Sequence, residues 1–150
     1  MLKVIPKKWS YSFSVTEDTR SVAESVNRSG WRDKGELRIQ NDIYTARRDK
    51  SSYVLESAAG VVARTEQPRK WRRELIIDHA GRRYTLRAKS GFRREFLLLD
   101  GPVKIGSISP EGLFTRRADA DLPKFFPLYL QVFIIWLVMT LWKQDDAAGG

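Results

Sequence analysis

The chain has 150 residues, no cysteine, a single histidine and a formal net charge of +9. That length suits one domain able to bury about two-thirds of its unfolded surface, and the lack of cysteine excludes thiol catalysis, disulfides and cysteine-ligated zinc. The opening residues, MLKVIPKKW, hold no apolar run of the length that a cleaved secretory signal needs, so a cytoplasmic location is expected, with peripheral contact at the inner membrane surface as a possibility the charge raises.

The early chain has period two. Tyr11, Phe13 and Val15 alternate with Ser10, Ser12 and Ser14, and Leu37 and Ile39 alternate with Glu36, Arg38 and Gln40. Such alternation predicts strands with one buried face and one wet face. Ser21 to Val26 reads as a strand or as a short helical turn. Asn27 to Gly30 is expected to be a loop, and Asn41-Asp42 a tight turn into a strand over 43–47.

From Tyr53 a repeat emerges. Gly60, Gly81 and Gly101 lie 21 and 20 residues apart, each between two apolar segments, which predicts three hairpins with Gly supplying the positive φ of each turn. The segment Trp71-Arg72-Arg73-Glu74-Leu75 is echoed 21 residues on by Phe92-Arg93-Arg94-Glu95-Phe96, so the hairpins read as one stacked meander. A last strand is expected over 112–117, with 119–123 as a connector.

The remaining element is the uncharged run from Phe125 to Trp142, bracketed by Lys124 and Lys143 and broken only by Pro127, Gln131 and Thr140. A helix apolar on every side belongs in a core or in a bilayer. With Pro127 near the first turn about 16 residues remain, which span about 24 Å, less than the hydrocarbon core of about 30 Å. Ten to twelve one-sided strands, in turn, close on a hollow that needs an apolar filling. The predicted fold is therefore mainly β: an antiparallel closed barrel of about twelve strands wrapped around one buried helix at about 127–143. One domain covers 1–143, and 144–150 form a disordered tail. The alternative is a tail-anchored protein with 125–142 as the span.

The text of the later strands, RRYTLR at 82–87, FRREFLLLDG at 92–101 and IGSISPEG at 105–112, followed by Asp121-Leu122-Pro123 and a WLVMTLW helix at 136–142, resembles bacterial members of the tubby C-terminal-like superfamily. Phospholipid scramblases and the LURP-one-related proteins are relatives in that group. The resemblance covers roughly Trp9 to Trp142 and implies a twelve-stranded barrel around a hydrophobic C-terminal helix. It carries no catalytic signature, and no position here matches the headgroup site of the tubby proteins, so what it implies about function is membrane-lipid contact in general.

The charge is concentrated. Between Arg64 and Arg94 eleven Lys or Arg face Glu66, Glu74 and Asp78 alone, leaving a balance near +1 for all other residues. A segment of this kind suits an anionic partner, or simply supplies the wet faces of strands. Period two places Arg73 and Arg94 on the inward face with Leu75, Ile77, Phe96 and Leu98, where a guanidinium must reach a rim, pair with an acid or mark a bulge. The candidate headgroup-contact set is Arg69, Lys70, Arg72, Arg73, Arg82, Arg83, Arg93 and Arg94, against the plainer reading that each Arg pairs with an acid on a neighbouring strand. A lone His79 beside Asp78 makes a poor base, Asp119 and Asp121 a poor metal set, and no phosphate loop is present. A non-enzymatic module without metal or cofactor is expected, a monomer that contacts anionic membrane lipid, with nucleic acid as the alternative partner of the same basic strands.

Overall fold

The computed structural model describes residues 1–7, 12–27, 33–68, 73–89, 92–112 and 115–149, without the side chains of 92, 93 and 147–149. Twelve strands follow one another in a meander: β1 (Leu2–Pro6), β2 (Phe13–Glu17), β3 (Arg20–Val26), β4 (Lys34–Ile39), β5 (Asp42–Asp49), β6 (Ser52–Ser57), β7 (Gly60–Glu66), β8 (Glu74–His79), β9 (Arg82–Lys89), β10 (Phe92–Asp100), β11 (Val103–Pro110) and β12 (Ala118–Asp121). Every neighbour is antiparallel, and β1 pairs with β12 to close the ring. Helix α1 (Leu128–Gly149) ends the chain.

Turn chemistry sets the register. At the β8–β9 hairpin His79 faces Arg82 across Ala80 (φ 50°) and Gly81 (φ 78°), a two-residue turn with both central residues left-handed, whose twist matches that of the strands. At β10–β11 Gly101 (φ 59°) precedes Pro102 and joins Asp100 to Val103. The predicted glycine hairpins are therefore present, and 21–26 form a strand.

Two expectations are corrected. The last strand is β12, Ala118–Asp121, and the described residues of 112–117 are not in a strand. Ala118 and Ala120 are fully buried while Asp119 and Asp121 alternate with them; an alternation built on alanine is too weakly apolar to stand out in the text. The helix also continues beyond Lys143 to Gly149 rather than giving way to a disordered tail. Gln144 donates from Nε2 to the Tyr53 hydroxyl at 2.8 Å, and Asp145 pairs with Arg73, which ties the added turn to the barrel.

The helix is the axle of the barrel. Residues 132–142 are buried without a break, so all faces of three turns are covered and no side is left for lipid or water. One cluster joins them to Val4, Phe13, Leu37, Leu55, Ile77, Leu86 and Leu98 from around the ring. No helix among the described residues is long and apolar enough to cross a membrane. Pro127 precedes the first turn, where its missing N–H costs nothing, and its carbonyl accepts from the Leu130 and Gln131 amides at 3.0 and 3.2 Å.

Close approach explains one glycine. A Cβ on Gly106 would stand 2.7 Å from the backbone oxygen of Asp121, an atom that moves only with β12 or its link to the helix. Gly106→Ala is expected to cost about 1–3 kcal/mol through overpacking, read as a lower denaturation midpoint with unchanged transition slope. Wild-type stability would show that the β11–β12 junction is looser than drawn.

Candidate anion-contact site

Alternation of direction sorts every connection to one of two ends. Odd-numbered strands begin at the end where α1 begins, here the proximal end, and even-numbered strands begin at the distal end, where α1 finishes. The proximal connections are short: 18–19, 40–41, 58–59, 80–81, 101–102 and the link 122–127. Their formal charges cancel, Asp18 against Lys124. In the sequence the segments that link strands at the distal end, 7–12, 27–33, 50–51, 67–73, 90–91 and 111–117, hold eleven Lys or Arg against Asp33 and Glu111, a formal +9 that equals the excess of the whole chain; of the eleven, Lys7, Lys50, Arg73, Arg116 and Arg117 are among the described residues. Strands and helix thus carry no net charge between them.

The eight candidate residues do not form one face. Arg69, Lys70 and Arg72, and the side chain of Arg93, lie outside the described residues. Arg82 and Arg83 sit at the proximal β8–β9 turn opposite His79 and Asp78, six and five residues along β8 from Arg73, or about 17–20 Å. Both are paired across strands: Arg82 reaches Asp100 at 3.4 Å, and Arg83 bonds Asp78 at 2.7 Å and Glu66 at 2.8 Å. Cross-strand pairs recur on the outer wall with Arg64 to Asp49, Arg47 to Glu56 and Arg38 to Glu24, and Arg38 also bonds Glu36 within β4. Exposed pairs of this type are worth little to stability, but they neutralise the flank on which a headgroup would lie.

Arg73 and Arg94 are together at the distal rim, facing inward as the alternation required. Arg73 pairs with Asp145 of α1, and its guanidinium lies 5.2 Å from the Phe96 ring. Arg94 stacks 4.7 Å over the Trp142 ring and donates from Nη2 to the Thr115 carbonyl at 2.6 Å, while the indole N–H of Trp142 donates to the Arg94 carbonyl at 2.9 Å. The pairing of β9 with β10 shifts register between Phe92 and Phe96. Rim, acid partner and bulge, posed as alternatives by the sequence, occur side by side; the acid is Asp145 of the helix. A cation over an aromatic face, sheltered from water, is worth about 0.5–2 kcal/mol. These two arginines clasp the end of α1 and hold the distal mouth of the barrel.

Among the described residues two recesses open at this end: one of about 170 Å³ beside the clasp, bordered by Gln67, Arg73, Glu74, Leu141, Gln144 and Asp145, and a much smaller one. The recess between the helix and the β3–β4 side, bordered by Asn27, Asp33, Lys34, Trp136, Thr140 and Lys143, measures about 20 Å³, room for about one water. Among the described residues no three His, Cys, Asp or Glu are grouped to hold a metal ion. His79 is engaged at the proximal end: its Nε2 lies 2.7 Å from the Tyr129 hydroxyl, and Tyr129 stacks on Tyr44 with ring centroids 5.3 Å apart. Sequence reading gave no hint of this contact, because its partner lies in the first turn of α1.

Burial holds the His79 imidazole below its ordinary pKa of about 6.5. The unfolded chain then binds that proton more readily than the folded one, so stability is complete above about pH 6.5 and declines as pH falls below it. Between pH 7 and 5 the urea midpoint of the wild type is expected to drop more than that of His79→Gln, which keeps a partner for Tyr129 without titrating. An identical acid dependence in both proteins would remove His79 as the cause.

The class defined by this architecture is a closed antiparallel barrel with a helical axle. No protein-family model, curated protein or solved structure matches the chain.

Proposed function

We propose that the protein is a non-enzymatic binding module that makes peripheral contact with anionic phospholipid headgroups through the distal end of its barrel. The observation that carries this reading is the segregation of charge: all of the +9 excess falls in connections that meet at one end. Aromatic residues accompany it in the sequence, with Trp9, Trp31, Trp71 and Phe114 each within two residues of a Lys or Arg. Paired tryptophan and cation suit the headgroup layer, where an amphipathic ring and a positive charge are both favoured. The tubby-like resemblance in the strand text supports the same partner. Arg82 and Arg83 are left out of this site because they stand at the opposite end in ion pairs, and Arg73 and Arg94 act through the helix they clasp.

Sedimentation with vesicles tests the reading. Binding to phosphatidylserine-containing vesicles, weakened by salt and absent with phosphatidylcholine alone, is expected. Since each basic residue near such a surface contributes about 1 kcal/mol, Arg69→Glu, Lys70→Glu and Arg72→Glu together are expected to weaken it at least a hundredfold. Equal binding by the triple variant would refute the site. Salt-sensitive retention of an oligonucleotide without vesicle binding would assign the basic end to nucleic acid.

A further inference from the structure

The proximal end has a different character. Among the described residues the large apolar side chains left exposed are Met1, Ile43, Val61, Val103 and Phe125, at 48–75%, and all five lie there. Singly scattered apolar residues are ordinary; a set confined to one end of a barrel asks for a covering. They form two sectors of the rim. Met1 precedes β1 and Val103 opens β11, the strands on either side of β12, and Phe125 lies in the link that leaves β12, whereas Ile43 and Val61 stand on β5 and β7 either side of β6. In a ring of twelve, β12 and β6 are diametrically opposed. Between these sectors lie two polar turns, Arg82-Arg83 after the β8–β9 tip on one side and Glu17-Asp18 at the β2–β3 tip on the other.

We propose that the proximal end is the contact face of a head-to-head dimer of this chain. A twofold axis lying across the rim near β12 and β6 places each apolar sector on its own counterpart and brings the Arg82-Arg83 turn of one copy over the Glu17-Asp18 turn of the other, the self-complementary arrangement a twofold interface requires. The chemistry of that second contact is suited to it. Arg82 is 68% exposed by its side chain and only loosely held by Asp100 at 3.4 Å. Glu17 and Asp18 form no ion pair among the described residues. Beside them a cleft of about 280 Å³, bordered by Glu17, Arg20, Ser21, Val22, Gln40 and Leu128, has room for an arginine head, and the two acids of the tip outnumber its one cation, Arg20.

Charge selects this occupant and this orientation. Two chains of +9 repel each other, and meeting through the ends whose connections carry no net charge places their basic ends as far apart as the barrels permit. The area is adequate as well. Twelve strands about 4.8 Å apart and tilted by about 40° give a backbone radius of about 12 Å. With side chains the end covers on the order of 700 Å² per copy, or roughly 1,400 Å² for the pair, within the range of specific interfaces. The monomer expected from the sequence had no view of this end, since its five apolar residues come from five separate elements.

Sedimentation equilibrium of the full chain over a concentration series reads the outcome. A monomer–dimer equilibrium is expected for the wild type, and Val103→Glu with Phe125→Asp is expected to weaken it at least a hundredfold while circular dichroism and vesicle binding stay unchanged, because both side chains are exposed and far from the basic end. Arg82→Glu and Glu17→Arg are each expected to weaken association roughly tenfold, and the double charge swap to restore it. A wild type that is monomeric at its highest soluble concentration, an apolar double variant that dimerises as well as the wild type, or a swap that gives no rescue would each overturn the proposal. Vesicle binding lost in the Val103→Glu, Phe125→Asp variant of a monomeric wild type would give this face to a membrane instead.

Discussion

Ending the chain at Lys124 is expected to abolish cooperative folding. Urea titration of the truncated protein should show a sloping signal in place of a sigmoid, with the amide spectrum of a collapsed or aggregated chain. The reason is one of scale. Leu130, Val132, Phe133, Ile134, Ile135, Leu137 and Val138 are completely buried, and Trp136, Met139, Leu141 and Trp142 nearly so. At about 1.5–3 kcal/mol for each large apolar side chain, discounted for partial collapse of the unfolded chain, the helix contributes on the order of 15–30 kcal/mol. Domains have a net stability of about 5–15 kcal/mol, so no gain elsewhere compensates. The inward faces of the strands, among them Val4, Leu37, Leu75 and Leu98, would otherwise line an empty hollow. A cotranslational consequence follows: the last element made is the one around which all others close, so the barrel is completed only after synthesis of α1. A soluble truncated chain that unfolds with a wild-type slope would place the helix outside the barrel.

Phe133→Ala probes the same packing without removing the element. Phe133 is fully buried and stacks on Trp136 with centroids 6.3 Å apart, and Trp136 meets the Tyr53 ring edge-on at 5.7 Å. The helix is enclosed by twelve strands joined in a hydrogen-bonded ring, so the wall cannot collapse freely onto the space left by the ring. A loss of about 3–5 kcal/mol is expected, near the upper part of the range for large-to-small core changes. For a chain of this length that corresponds to a fall in melting temperature of about 6–20 °C. A shift of a degree or two would mean that the interior is loosely filled. Phe133→Leu, which keeps most of the volume, is expected to recover more than half of the loss.

Much of the architecture was legible because two of its physical requirements leave marks in the text. Strands with one buried face alternate, as at Phe13 and Val15 or Leu37 and Ile39, and hairpins that need a left-handed residue carry Gly81 and Gly101. The axle was legible from the lack of any polar side over 132–142. The last strand was not, because Ala118 and Ala120 fill their inner positions with one methyl each, and the more colourful text at 112–117 drew the assignment away from it. Nor was the end of the helix, where Gln144 and Asp145 look like a polar tail until Tyr53 and Arg73 are beside them.

The candidate site was legible in part. An inward arginine at 73 and 94 demanded a partner, and the partner was sought among glutamates next in sequence; Asp145 and Thr115 are brought there by the closure of the barrel. The placement of Arg82 and Arg83 at the other end was available in principle. Residues on a hairpin tip cannot share an end with residues at the strand starts on either side of it, so the spacing of Arg73, Gly81 and Arg94 already separated them. The basic segment 64–94 is therefore divided between the two ends of the barrel. The segregation of all excess charge to one end required the boundaries of all twelve strands, and those depended on β12.

The buried axle is tested most directly by amide hydrogen exchange of residues 130–142 in detergent-free buffer. A helix enclosed by a closed ring opens only when the ring opens, so its amides are expected to exchange through global unfolding, with the same free energy and the same denaturant dependence as the central amides of β6, β8 and β10. Helix amides that exchange by a separate, lower-energy opening, or a chain that stays in solution only with detergent, would contradict the account.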